Sequence, residues 1–321
     1  GQAREILTNT GAEEISLVSL STTDHSDIQA LVEALLEVCE PLQVNVSLPS
    51  LRVDAMDIGL AERLATVRKG GMTLAPEAGT QRLRNVINKQ VTELSLLEAT
   101  EAAFEAGWNT IKLYFMLGLP TETDEDLLGI ADLARKVHAQ GRVLRGGRAQ
   151  VNVSVATFVP KPHTPYQWLG QIPRDEIERR QRLLKDAFHR LRGVNLKLHA
   201  PSQSLIEALL ARGDRRLADA VLAVWKKGAR FEGWREYFSM QRWLEALTET
   251  GLELEQYASS PRKLNERLPW DQLSSRVSKA FLALELQKSE AGSLTPDCRF
   301  GPCSDCGACD SRLKNRLCRS S

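Results

Sequence analysis

Between residues 14 and 158 short apolar runs alternate with amphipathic stretches, and this alternation restricts the fold more than any other feature of the chain. Glu14-Ile-Ser-Leu-Val-Ser-Leu20 reads as a buried strand, followed by a helix over 28–39 with apolar residues at helical spacing. Val44-Asn-Val-Ser-Leu48 is a second strand, and 56–68 a helix containing Leu60, Leu64 and Val67. A third strand, Gly71-Met-Thr-Leu-Ala75, precedes helical stretches over 80–87 and 94–106. Thr110-Ile-Lys-Leu-Tyr-Phe-Met116 makes the fourth strand, with a helix over 125–140, and a fifth strand runs from Gln150 to Phe158. Strands separated by helices at this spacing imply right-handed βαβ crossovers and a parallel sheet. The segment 1–160 thus reads as most of a parallel barrel or half-barrel, with its site at the strand C-terminal ends.

After residue 165 the pattern changes. A long charged helix is expected over 174–192, one more strand over 195–199, and helices from Ser204 to about Gly251. Trp225, Trp234 and Trp243 fall in that last region and are assigned to core and inter-helix packing, because each buries a large apolar area. Another helix is expected near 272–287, ahead of a cysteine-rich end. At 321 residues the chain is long enough for one α/β barrel with an appendage.

Lys and Arg number 42 and Asp and Glu 41, a formal charge of +1, so no global field draws the protein to nucleic acid or membrane. No apolar stretch approaches the roughly 18 residues of a membrane span. One scattered cysteine, Cys39, and one tight cluster suit a reducing cytosol better than a disulfide framework.

That cluster is Cys298-Arg-Phe-Gly-Pro-Cys303-Ser-Asp-Cys306-Gly-Ala-Cys309, followed by Cys318. Thiols so close in sequence make strained disulfide partners but good chelators. The spacings suit iron–sulfur ligation and zinc knuckles alike, so Cys298, Cys303, Cys306 and Cys309 are candidate metal ligands for either.

Residues suited to a site follow the strands. After the third comes Pro76-Glu77-Ala-Gly79-Thr80, where Pro76 and Gly79 make a turn and Thr80 can cap the next helix. Glu77 then faces the sheet's C-terminal mouth, either as acceptor for an amine or ribose hydroxyls or as a helix-dipole carboxylate. After the fourth comes Gly118-Leu-Pro120-Thr-Glu122-Thr123-Asp-Glu-Asp126: Gly118 admits a ligand near the backbone, Pro120 stiffens the turn, and Thr123 with Asp126 fits an acidic capping box. After the fifth comes Val159-Pro160-Lys161-Pro162-His163-Thr-Pro165, an extended exit over the barrel mouth, in which His163 is read as a structural hydrogen-bonder.

Together, Pro76-Glu-Ala-Gly-Thr80, Tyr114-Phe-Met-Leu-Gly-Leu-Pro-Thr-Glu-Thr123 and Val153-Ser-Val-Ala-Thr-Phe-Val-Pro-Lys-Pro-His-Thr-Pro165 resemble the radical S-adenosylmethionine (radical SAM) superfamily. The likeness is nearest its branch with methylthiotransferases and coproporphyrinogen dehydrogenase. Ala211-Arg-Gly-Asp-Arg-Arg216, Phe231-Glu-Gly-Trp234 and the cysteine run resemble a subfamily whose full-length members carry a cobalamin-binding-like domain ahead of the radical domain. The resemblance implies a partial parallel (β/α) barrel of radical SAM type over 1–166, a barrel extension and helical region over 167–296, and a Cys-rich metal-binding tail over 297–321. It implies S-adenosylmethionine contacts at Ser21, Arg52, Glu77, Gly118 and Pro120, with Arg52 pairing the methionyl carboxylate.

The superfamily's Cys-x3-Cys-x2-Cys, which holds a [4Fe–4S] cluster, does not occur in this sequence. The chain is therefore expected to be a fragment, inactive alone, whose cluster loop lies immediately upstream of Gly1. The resemblance further implies, for the parent, reductive cleavage of S-adenosylmethionine to a 5′-deoxyadenosyl radical, an electron donor such as flavodoxin or ferredoxin, and cobalamin as a candidate cofactor. It leaves an auxiliary iron–sulfur cluster or zinc at the terminal cysteines, and RNA or protein as the substrate to be modified.

Two rivals belong to other classes. One is a non-catalytic nucleic-acid-binding module with a zinc ribbon, whose basic helix at Arg179-Arg-Gln-Arg182 tracks phosphates. The other is a barrel lyase or aldolase using Lys112 or Lys161 as a Schiff base, which explains neither the cysteines nor the combined motifs.

Overall fold

The computed structural model describes residues 1–17, 25, 27–47, 71–298 and 300–310. Its first part comprises α1 (Gln2–Thr10), β1 (Glu14–Ser16), α2 (Ile28–Cys39) and β2 (Asn45–Ser47). β1 and β2 pair in parallel, Ile15 opposite Val46, and α2 covers them with Val32, Leu35, Leu36 and Cys39 buried. The expected helix over 56–68 lies outside the described residues.

The larger sheet has four parallel strands in sequence order: β3 (Gly71–Glu77), β4 (Thr110–Leu117), β5 (Gln150–Thr157) and β6 (Val194–Leu198). Between them run α3 (Gln81–Val86), α4 (Glu93–Glu105), α5 (Asp124–Arg145) and α6 (Arg174–Phe188). The strands alternate strictly. Ile111, Leu113, Phe115 and Leu117 of β4 and Val151, Val153 and Val155 of β5 are buried on one face, packed with Leu96 and Phe104 of α4 and Ile130, Leu133 and Val137 of α5. Each such side chain contributes about 1.5–3 kcal/mol on burial. Lys112, Tyr114, Asn152 and Ser154 occupy the other, half-exposed face, so the sheet is dry on one side only.

The remainder is helical: α7 (Pro201–Arg212), α8 (Leu217–Lys226), α9 (Met240–Glu249), α10 (Leu254–Ala258) and α11 (Lys279–Glu290). The guanidinium of Arg212, wholly buried, ties α7 to α10 by donating to the carbonyls of Tyr257, Ala258 (2.8 Å) and Ser260 (2.7 Å). Among the described residues no helix is long and apolar enough to cross a membrane.

Three expectations need correction. α6 ends at Phe188, four residues short of the sequence reading, and the chain then reaches β6 through Gly193 at φ +78°. α11 begins at Lys279, because the Ser278 hydroxyl caps it by accepting from the Phe281 N–H. Of the three tryptophans assigned to packing, Trp243 is buried at 6 % exposure, whereas Trp225 and Trp234 are 53 % and 63 % exposed.

Candidate functional site

The strands of the larger sheet end along one edge, and the loops leaving them are bound to one another. β3 closes on Glu77, which adopts φ +69° after a register irregularity between Leu74 and Glu77. A non-glycine residue there is strained and is held by its surroundings. Its carboxylate, part-buried, receives Lys89 at 3.5 Å, and burial pushes it above the ordinary carboxylate range while Lys89 opposes the shift.

Past Glu77 the chain must come very close to α5. A Cβ on Gly79 would lie 2.2 Å from the Asp126 carbonyl oxygen and 2.5 Å from the Ile130 nitrogen, so only glycine fits. Thr80 caps α3, accepting from the Leu83 N–H, and its hydroxyl also donates to the Asp126 carboxylate. Asp126 accepts in addition from Arg82 and from the N–H and hydroxyl of Thr123 at 2.8 and 2.9 Å. Burial alone would raise its pKa, but the hydrogen bonds from Thr80, Thr123 and Arg82 hold it below the usual range. The acidic capping box expected at Thr123 and Asp126 is therefore present, and it also locks the β3 loop to the β4 loop.

β4 leaves through Gly118 at φ +86°, where an added Cβ would lie 3.0 Å from the Ile172 side chain. The Gly118 N–H donates to Glu122 Oε2 at 2.7 Å, and Arg180 Nη1 of α6 donates to the same oxygen at 2.5 Å. The Glu122 side chain is 1 % exposed, and burial lifts its pKa to about 7 despite the Gly118 and Arg180 contacts. Sequence reasoning gave Glu122 no role. The signal lay in its spacing from Gly118, but its partner Arg180 is 58 residues away. Pro120 is half-buried between these contacts, next to Thr121, whose carbonyl accepts from Arg82 at 2.9 Å.

The loop after β5 starts as Phe158 donates its N–H to the Leu117 carbonyl. Phe158 packs edge-to-face on Tyr166 at 5.5 Å, and the Tyr166 hydroxyl binds the Val86 carbonyl (2.9 Å) and the Ser289 hydroxyl of α11 (2.8 Å). These residues, with Ile87, Lys161 and Glu285, line a cavity of about 240 Å³ between the strand ends and α11. Two polar atoms near the β5 end, Thr157 Oγ1 and Gln171 Oε1, are buried without a partner. Lys161, a Schiff-base candidate, is paired with Glu207 at 2.6 Å. The His163 backbone N–H donates to Gln167 Oε1 at 3.2 Å in a turn where His163 takes φ +56°.

Of the expected cofactor contacts, Glu77, Gly118 and Pro120 thus sit on adjacent strand ends, whereas Ser21 and Arg52 lie outside the described residues. Cys298, Cys303, Cys306 and Cys309 are free and half-buried. The Asp305 N–H points at Cys303 Sγ (3.4 Å) where Asp305 and Gly307 take φ +51° and +89°. The Cys309 thiol is pushed up by desolvation and then by Cys306, Cys298 and Cys303. Among the described residues no three His, Cys, Asp or Glu side chains are already gathered as a metal cage. The basic run of the nucleic-acid rival is largely neutralised: Arg179 grips Asp124 and Glu176, and Arg180 grips Glu176 and Glu122.

An uncharacterized protein of Methanocaldococcus jannaschii, MJ0966, is 30% identical to this chain over 207 residues, which cover 64% of the chain and 43% of that protein. The chain therefore spans less than half the length of this relative. Among solved structures, Streptococcus suis SuiB bound to S-adenosylmethionine aligns with a TM-score of 0.43 at 14% identity, covering 62% of this chain and 42% of SuiB. A second SuiB structure gives 0.44 at 13% identity, covering 65% and 44%. Neither likeness is close enough to transfer geometry. The sequence model of the Radical SAM superfamily matches residues 1–134, a span that ends within α5 and takes in both the Glu77 and the Gly118 loops. Over its first 134 residues the chain is thus similar to the radical SAM superfamily.

Proposed function

We propose that this chain is the S-adenosylmethionine-binding part of a radical SAM enzyme, with the cofactor lying along the C-terminal edge of the larger sheet. The observation that carries the reading is the family match over residues 1–134, which contains the interlocked loops after β3 and β4. The residues present fit the cofactor: Glu77 offers a part-buried carboxylate, and Thr157 and Gln171 offer buried polar atoms without partners. Glu77 accepts from the cofactor's hydroxyl or amine groups, and the Gly118–Pro120 turn orients its base. Ser21 and Arg52 bind the methionyl end.

When bound beside a reduced [4Fe–4S] cluster, S-adenosylmethionine supplies a 5′-deoxyadenosyl radical by cleavage of its S–C5′ bond, and the protein contributes orientation and exclusion of water. The residues present do not fit that cluster, since no Cys-x3-Cys-x2-Cys occurs in the sequence, and no step through it is assigned to them. By itself this chain binds the cofactor without cleaving it. An electron donor such as flavodoxin or ferredoxin is the partner, and cobalamin a candidate cofactor, of the cluster-bearing parent enzyme, in a reducing cytosol where the free thiols persist.

The segments 1–166, 167–296 and 297–321 act as barrel, extension and metal-binding tail. For the tail, Cys298, Cys303, Cys306 and Cys309 are the ligands of zinc or of an auxiliary iron–sulfur cluster. A backbone N–H aimed at a cysteine sulfur, as at Asp305 and Cys303, stabilises a metal-bound thiolate.

Calorimetric titration of the anaerobically purified chain with S-adenosylmethionine tests the first part. Saturable binding that E77Q weakens about tenfold supports it, while binding indifferent to E77Q, or release of 5′-deoxyadenosine by this chain alone, contradicts it. Iron, sulfide and zinc per protein test the second: metal retained by the wild type and lost in C303S/C306S supports the tail site, and a metal-free wild type refutes it.

A further inference from the structure

Four large aromatic side chains project from one short segment after the barrel. Trp225, Phe231, Trp234 and Tyr237 are 53 %, 72 %, 63 % and 54 % exposed, although rings of this size ordinarily bury most of their area. They are not on a floppy strand. Glu232 points inward, accepting from Trp243 Nε1 at 2.7 Å and Arg242 Nη1 at 2.5 Å, and Ala229 is buried beside it. Successive turns (Trp234 N–H to Phe231 carbonyl, Tyr237 N–H to Trp234 carbonyl) hold the outward rings in order, with Phe231 and Tyr237 6.1 Å apart. Phe231 itself is held at φ +54°.

The charge around these rings is net positive. Residues 225–237 contain Lys226, Lys227, Arg230 and Arg235 against Glu232 and Glu236. Glu232 is consumed by Arg242, and Lys227 by Glu249 at 2.6 Å. Arg230 stacks over Trp225 at 4.8 Å and donates only to backbone carbonyls. Among the described residues no carboxylate pairs with Lys226, Arg230 or Arg235, in contrast to the neutralised Arg179 and Arg180 of α6.

We propose that residues 225–237 form a docking surface for single-stranded nucleic acid. Unpaired bases stack on Trp225, Phe231, Trp234 and Tyr237, and the phosphates between them meet Lys226, Arg230 and Arg235. Sequence-tolerant platforms for single strands combine these two elements, exposed aromatic faces and unpaired cations that track a backbone. A partner protein would equally cover the rings, but it would not call for three unpaired cations set among them. As the place where a substrate is held, this surface rests on the radical-enzyme reading; as a binding surface it does not, because it is read without turnover.

The test uses the whole chain and fluorescein-labelled 20-mers of oligouridylate and oligothymidylate, followed by anisotropy at 50 and 200 mM KCl. The expected result is binding of a single strand that quenches tryptophan emission and weakens as salt rises. The preferred 20-mer distinguishes RNA from DNA. W225A and W234A each weaken it about 5- to 150-fold, the range for loss of one stacked base. K226E/R235E, which leaves every ring in place, weakens binding and flattens the salt dependence. Absence of binding by both 20-mers at 50 mM KCl overturns the proposal, as does binding that all these variants leave unchanged. So does a concentration-dependent dimer that W234A dissolves, which makes a second copy the occupant. S-adenosylmethionine titration of the same samples separates this outcome from failure of the radical reading.

Discussion

Glu122 accepts the Gly118 N–H at 2.7 Å across the turn that leaves β4, and does so from a side chain 1 % exposed. Its carboxyl is lifted to about 7, above the ordinary 4.5, so folding favours the protonated acid. The stability this group contributes is then complete below about pH 4.5 and is lost as pH rises through 7. E122Q removes that titration. The excess stability of the wild type over E122Q, measured by thermal unfolding, is expected to shrink between pH 5 and 8; parallel curves would show that Glu122 does not titrate there.

Gly79 rests on the first turn of α5 with no room for a methyl group. G79A is expected to lose about 1–3 kcal/mol in urea unfolding, because the backbone atoms it meets cannot step aside like the end of a side chain. A loss below half a kcal/mol would mean the two loops are not locked as described.

Arg212 serves three carbonyls of the 257–260 segment from a fully buried position, and burial lowers its pKa to about 10. R212M leaves those carbonyls without their donor, at an expected cost of about 3 kcal/mol. Denaturant unfolding gives the value directly. R212K, with one compact ammonium in place of a planar fork, is expected to recover less than half of it.

Lys89 is the counter-charge to Glu77. K89M removes the one influence opposing burial, so Glu77 takes up its proton at higher pH than in the wild type. Calorimetry across pH 5.5–8 is expected to show S-adenosylmethionine affinity falling off at higher pH in K89M. An unshifted profile would place the cofactor away from this carboxylate.

What the sequence disclosed was local. β3, β4, β5 and the caps at Thr80 and Thr123 are set by alternation and by residues three positions apart, and the structure has them close to where they were expected. Contacts between distant segments were hidden, as with Glu122 under Arg180 or Asp126 joining Thr80 to Thr123. The tryptophans show the same limit from the other side. Trp225, Trp234 and Trp243 look alike in sequence, but Trp243 lies on the helix face that packs into the main core, with Glu232 accepting from its Nε1, while the other two rings are exposed. The helix ends at 188 and 279 were misplaced because charged residues continue beyond the first and polar turns precede the second.

α11 is gripped at both ends. Ser278, its cap, donates its N–H to the Cys306 carbonyl at 2.8 Å, while Ser289 in its last turn holds the Tyr166 hydroxyl at 2.8 Å. Twelve helical residues make a strut of roughly 18 Å between these grips, stiff along its axis. One rigid helix thus joins the backbone of the cysteine tail to the wall of the cavity, although neither grip is a contact between the two.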